Sequence, residues 1–361
     1  MPRATAVVAA NRRFMTPNGK TAHGLVRGSE RFEVRAVIDP DCAGRDAGEV
    51  LDGQHRAIPI VASMDEAMAL HAEPPAYFIV GVATHGGRFT PEIRALLIDA
   101  AGRGLHIANG LHDAASEDPE IAEAARRTGA GIVDLRKAPP KSELHFWEGD
   151  IYEVRAPRIA VLGTDCALGK RTTARMLMQA LCAAGLDAQM IYTGQTGWMQ
   201  GARYGFVFDA TPNDYVSGEL EHAIVTCDRE AAPDVMVLEG QSSLRNPSGP
   251  CGSEFLLSAA AKGVVLQHAA GREHFEGYEA MGLRLPSLAD EIALIQAYGA
   301  QTLAVTLNSA AMQGEALEDY RRACEAELGI PVVSVLEQGL ERLVPVVRDF
   351  VARQTSWAST A

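Results

Sequence analysis

The sequence predicts two α/β domains, each built on a mainly parallel sheet. Short apolar runs recur along all 361 residues, most of them closed by a small or polar residue and followed by a helical pattern. Such alternation is what a doubly wound parallel sheet requires. A polar, proline-marked stretch opening with Pro139-Pro140 divides the chain near its middle. Just beyond it, Arg158 to Thr173 reads as a buried strand, a glycine-flanked loop and the start of a helix. That layout aims backbone N–H groups and a helix N-terminus at one point, as a site for phosphate oxygens does. The expected boundaries are 1–138 for the first domain, 139–157 for a linker and 158–361 for the second.

Composition agrees with this division. The length suffices for two cores, and 47% hydrophobic with 22% charged residues is a soluble globular balance. A net charge of −13 argues against a general nucleic-acid or anionic-membrane surface. Small molecules are therefore the expected partners, with no nucleic acid and no membrane, and a second copy of the chain is the expected protein partner. No leader-like N-terminal segment and no apolar run approaching about 18 residues is present. The six cysteines are scattered without a Cys-x-x-Cys pair, so they read as reduced thiols of a cytoplasmic protein.

In the first half, residues 3–10 form a strand, and Asn18 to Gly24 form a loop. Gly19-Lys20-Thr21 imitates a phosphate loop, but no glycine-rich turn precedes it. Phe32 to Ile38 is a second strand ending at Asp39, where an acid could meet a ribose. Without Gly-x-Gly-x-x-Gly after the first strand, no nicotinamide site is assigned. Met64 to His71 suits a helix, Tyr77 to Val82 a strand, and Pro91 to Gly102 a helix opened by proline and closed by glycine. Leu105 to Ala108, Pro119 to Thr128 and Gly131 to Leu135 continue as strand, helix and strand. His85, Asn109, His112 and Arg136 follow strand ends, either as ligand groups at the binding edge of the sheet or as turn caps.

In the second half, Ile159 to Leu162 is the buried strand, and Gly163-Thr164-Asp165-Cys166-Ala167-Leu168-Gly169-Lys170-Arg171-Thr172-Thr173 is the candidate diphosphate cradle. Five residues separate its glycines where the usual spacing is four. The usual Ser or Thr after the lysine, which holds Mg²⁺ in nucleotide hydrolases, is here Arg171. A diphosphate is thus expected, either of a nucleotide or of coenzyme A, and a metal requirement is left open. Asp187 to Tyr192 is a strand, followed by a turn carrying Gln195 and Trp198 as candidate substrate contacts. Asp214 to Cys227 is a helix. Val235 to Leu238 is a strand ending in Glu239, the candidate base, with Gln241, Ser242 and Arg245 beyond it as candidate substrate ligands. Val264 to Gln267 leads to His268, a second candidate base or a structural histidine, and to Arg272 at the site rim. Leu303 to Leu307 ends at Asn308, where an adenine contact is expected; Pro331 to Val335 is the last strand and Leu340 to Arg353 a closing helix.

These motifs together resemble a bacterial family long catalogued as of unknown function. The resemblance rests on Gly163 to Ala167, Gly169-Lys170, Thr172-Thr173 and Glu239-Gly240-Gln241, with Lys20 to Gly24 and Asn109 to His112 in the first half. It implies a Rossmann-like N-terminal domain and a P-loop C-terminal domain. One branch acts as a D-glutamate N-acetyltransferase (DgcN-type) in D-amino-acid breakdown, which implies acetyl-CoA as co-substrate. On that reading the cradle holds the CoA phosphates, and Glu239, or failing it Asp165 or His268, takes the amine proton. Gln241 or backbone N–H groups hold the oxyanion, and Arg245 or Arg272 grips carboxylates. Direct transfer is preferred to an acyl-enzyme on Cys166. The rival readings are an ATP-dependent ligase of the dethiobiotin-synthetase type and a nucleotide-binding regulator without chemistry.

Overall fold

The computed structural model describes residues 3–358, with side chains as far as residue 354. The chain resolves into two compact units: residues up to Pro139 together with Gln195–Ala202, and Pro140–Gly194 together with the chain from Arg203 onward.

In the first unit the strands are β1 (Ala4–Ala9), β2 (Phe32–Ile38), β3 (Ile60–Val61), β4 (Tyr77–Val80), β5 (His106–Asn109) and β6 (Ile132–Asp134). They form one sheet in the order β3-β2-β1-β4-β5-β6, parallel throughout. Helices cover the sheet, so β1 is apolar from Ala6 to Ala9 and those residues are at most 1% exposed. The order reverses between β1 and β4, the switch point of a doubly wound sheet. Capping follows the sequence: Thr90 accepts from the Ile93 amide ahead of helix Pro91–Gly102, and Asp118 from the Glu120 and Ile121 amides ahead of Pro119–Thr128.

Two elements here differ from the sequence expectation. Lys20–Arg27 is a helix, not a loop; its Thr21, Ala22, Leu25 and Val26 are buried, and this apolar stripe outweighs Gly24. β3 has two residues, too few to show a period. The segment Gln195–Ala202 also belongs to this unit. Gln200 Nε2 donates to the Gly24 carbonyl (2.7 Å), Ser29 Oγ to the Met199 carbonyl (2.8 Å), and the Arg31 guanidinium lies 4.0 Å from the centre of a Trp198 ring.

In the second unit the strands are β7 (Arg158–Gly163), β8 (Ala188–Tyr192), β9 (Tyr204–Gly205), β10 (Val235–Glu239), β11 (Gly263–Ala269), β12 (Gln301–Asn308) and β13 (Val332–Ser334). The order is β13-β12-β11-β7-β10-β8-β9, again parallel, with β7 at the centre. β7, β10 and β11 are buried on both faces, which is why each carries an apolar run, Ile159 to Leu162, Val235 to Leu238 and Val264 to Leu266.

Residues 140–157, read from the sequence as a linker, are built into this unit. The buried Glu221, on helix Asn213–Ala231, accepts from the amides of Glu148 (2.6 Å), Gly149 (2.9 Å) and Ile151 (3.1 Å). Trp147 Nε1 donates to the Ser258 carbonyl (3.0 Å), and the His145 ring stacks 3.7 Å from His222. Phe146 and Trp147, which the sequence marks as anchors of this stretch on the second domain, meet Tyr215 and Ser258 there, and Glu221, some 70 residues further on, adds an anchor that the sequence does not show.

Candidate functional site

Strand order fixes the site. β7 lies between β11 and β10, so the loop leaving β7 is flanked by Gln267 and Glu239. The Thr164 amide still donates to the Gln267 carbonyl (3.0 Å), after which the chain leaves the sheet. Gly169 caps the following helix, Lys170–Ala183, at φ +92°, a left-handed conformation that favours glycine. The first bond of the helix ladder runs from the Thr173 amide to the Gly169 carbonyl (3.0 Å), leaving the preceding amides outside that ladder at the positive end of the dipole. Lys170 bends back across the loop, its ammonium donating to the carbonyls of Asp165 and Ser242 (2.7 Å each). A Cβ at Gly163 would stand 3.2 Å from that ammonium, so a side chain there would crowd it. Burial lowers the Lys170 pKa to about 8, against the pull of Cys166 and Asp165; the group is thus a cation held dry beside the loop.

Asp165 holds the loop in shape. It is fully buried, and its oxygens accept from the Cys166 amide (2.7 Å), Asn246 Nδ2 (2.9 Å), Arg272 Nη1 (3.0 Å) and the Glu276 amide (2.7 Å). Four donors converge on this carboxylate, so in the structure Asp165 holds the loop, where the sequence marks it as a candidate base. Arg272 is engaged on Asp165, on the Cys166 carbonyl (3.1 Å) and on Glu276 (2.7 Å). Arg245 pairs with the buried Glu291 at 2.7 Å. His268 has both ring nitrogens engaged, Nδ1 with Thr164 Oγ1 (2.9 Å) and Nε2 with Tyr320 Oη (3.0 Å). Burial, helped by the charge of Arg272, lowers its pKa to about 4, so it is a neutral structural group at neutral pH. Asn308 steadies the loop from β12 by donating to the Leu168 carbonyl (3.1 Å). The Thr173 hydroxyl points into the sheet and donates to Gln267 Oε1 (2.5 Å), which Thr306 shares (2.7 Å).

Glu239 is different. It ends β10 opposite Val161 of β7, it is 4% exposed, and Oε2 accepts from the Thr193 amide (3.1 Å). Burial pushes its pKa up to about 7; Arg171, the amides of Thr193 and Gly194, and Lys170 pull the other way. A carboxylate poised near neutrality can accept a proton and release it again. Beyond it, Gln241 Nε2 donates to Thr193 Oγ1 (3.0 Å), and Ser242 adopts φ +37° with its Oγ 3.3 Å from Cys166 Sγ.

The structure therefore brings together the loop from Gly163 to Lys170, Glu239, Gln241 and Ser242. Gln195 and Trp198 lie in the first unit, where Gln195 Oε1 accepts from Arg136 Nη2 (3.4 Å). Arg136 Nη1 also meets His112 Nε2 (3.0 Å), while Asn109 forms the turn after β5 by bonding Asp113, Asp134 and the Leu111 amide. Sequence reading missed Asn246 and Gln267, while Thr193 opens the turn that it reads as ligand-facing. Gln267 carried a usable signal, a lone amide in an apolar strand; Asn246 carried none, because turn residues of its type are common. Among the described residues no group of three or more His, Cys, Asp or Glu could hold a metal ion, and no helix is long and apolar enough to cross a membrane.

Comparisons with known proteins agree with this architecture. Residues 145–344 match a family model described as "Domain of unknown function (DUF1611_C) P-loop domain", and residues 40–138 match "Domain of unknown function (DUF1611_N) Rossmann-like domain". A crystal structure of a DUF1611 family protein from Anabaena variabilis is similar with a TM-score of 0.87 and 27% identity, over 96% of this chain and 100% of that one. A protein of Tritonibacter scottomollicae named D-glutamate N-acetyltransferase is 28% identical over 78% of this chain and 83% of its own length. One of the same name from a Pseudoalteromonas species is 26% identical over 74% and 80%. A Rossmann-like unit, a P-loop unit and these matches lead to one conclusion: the chain belongs to the DUF1611 family.

Proposed function

We propose that the protein moves the acetyl group of acetyl-CoA to the amine of D-glutamate by direct attack. The observation that carries this is Glu239: a buried carboxylate with a pKa near 7 beside a loop built for a diphosphate. The names of the two curated relatives support the substrate and the donor class.

The loop amides and Lys170 hold the diphosphate of the donor; the lack of a side chain at Gly163 leaves room for the ammonium, which the Asp165 carbonyl holds against the loop. An amino acid carries its amine as an ammonium at neutral pH, and that ammonium cannot attack. Glu239 in its ionised form takes one proton from it. The freed amine then attacks the thioester carbonyl: a C–N bond forms, the C–S bond breaks, and the proton held by Glu239 passes to the departing sulfur. The second proton that the nitrogen sheds to become a neutral amide is taken by the Glu239 carboxylate and passed to solvent. A group with a pKa near 7 can perform each of these transfers. Gln241 or nearby backbone amides steady the oxygen that gains charge.

The test is a thiol-release assay with acetyl-CoA and a panel of D- and L-amino acids. D-Glutamate is expected to release CoA, and Glu239→Gln to lower kcat by about 100-fold or more while CoA binding persists. ADP formation from ATP with an amine and a carboxylate substrate would point to a ligase instead.

A further inference from the structure

P-loop nucleotide hydrolases bring their diphosphate in with Mg²⁺, held by the hydroxyl after the loop lysine and by an acid at a strand end. The residues here do not fit that ion. The position after Lys170 is Arg171, which has no hydroxyl. Thr172 is a further residue along, about 100° round the helix. Thr173 sends its hydroxyl into the sheet, to Gln267 Oε1 at 2.5 Å. Asp165, the acid of the loop itself, is saturated by Arg272, Asn246 and two amides. Only the strand-end acid, Glu239, remains of the set.

We infer that Arg171 supplies the positive charge that a divalent cation supplies elsewhere, so that this loop takes a metal-free diphosphate. Arg171 occupies the first turn of helix Lys170–Ala183, one residue past the buried ammonium. Among charged side chains it acts on Glu239 more strongly than Lys170 does. Arg171 stands at the position where those hydrolases carry the hydroxyl, and its charge favours the ionised form of Glu239. A guanidinium also suits the task chemically: it stays charged at every physiological pH and offers a planar fork of donors to phosphate oxygens. Unlike a bound ion it cannot be lost to a chelator. The inference deepens the acetyl-CoA reading and rests on it for the identity of the ligand.

Calorimetry with coenzyme A and with ADP, each in EDTA and in excess MgCl₂, tests it on the full chain. Coenzyme A is expected to bind with the same affinity, within about twofold, in both conditions. Arg171→Ser is expected to lose about tenfold or more in EDTA and to regain part of that loss in MgCl₂. Arg171→Lys, which keeps a charge and controls for folding, is expected to lose less and to stay indifferent to Mg²⁺. A wild-type affinity that collapses in EDTA overturns the inference while leaving the acetyl-CoA reading intact, as does an Arg171→Ser variant that binds like wild type. Mg-independent binding of ADP with none of coenzyme A supports the metal-free loop and sinks the acetyl-CoA reading instead.

Discussion

Replacing Glu239 by glutamine makes a prediction about stability that needs no substrate. Burial raises the carboxyl from its ordinary 4.5 to about 7. The folded chain therefore holds this proton more tightly than the unfolded chain, and the carboxylate destabilises the fold once it is ionised. Below about pH 4.5 the penalty is absent; it grows as pH rises and is complete above about pH 7. Converted at about 1.4 kcal/mol per tenfold change in proton affinity, the full penalty is about 3 kcal/mol. Glutamine is neutral at every pH and its Oε1 can still accept from the Thr193 amide that now meets Glu239 at 3.1 Å. Urea unfolding of the two proteins, followed from about pH 5 to about pH 8.5, should show curves that nearly coincide in acid and separate as pH rises, with the variant the more stable by up to about 3 kcal/mol. A gap that does not change with pH would refute the reasoning, since it would mean that Glu239 titrates as an ordinary surface carboxyl. A variant that gains stability and loses turnover is the pattern expected of a group kept for chemistry.

Two further outcomes follow from the same contacts. Arg272→Ala should destabilise the second unit by about 2 kcal/mol, because Asp165 loses a charged partner in a fully buried setting; a raised KM for the amino acid with unchanged urea unfolding would instead restore Arg272 to a substrate-gripping role. Intact-mass spectrometry during turnover should find no acetylated protein, and an acetyl group mapped to Cys166 would establish a covalent route.

Much of this architecture was legible because it rests on burial. The central stretches of β7, β10 and β11 are enclosed on both faces and so had to be apolar; the positions of Glu239 and His268 followed from where the runs in β10 and β11 stop, and that of Asn308 from where β12 stops. The loop was legible because Gly163 and Gly169 answer to backbone geometry at fixed positions. Partners were not legible. A sequence shows Arg245, Arg272 and Asp165 as charges available for ligands, but each finds a mate: Glu291 46 residues from Arg245, and Asp165 107 residues from Arg272. Nor does it show that His268 is enclosed by Thr164 and Tyr320, which turns a candidate base into a support. The assignment of Gln195–Ala202 to the first unit escaped for the same reason, since it is made by Gly24, Ser29 and Arg31, far away in the chain.

What the chain does at residues 163–173 is tested most directly by a crystal structure grown with coenzyme A. The predicted density places the pyrophosphate on the amides leading into helix Lys170–Ala183, beside the Lys170 ammonium, with the thiol end running toward Glu239. Coenzyme A bound in the Rossmann-like unit, with no phosphate on that turn, would contradict it.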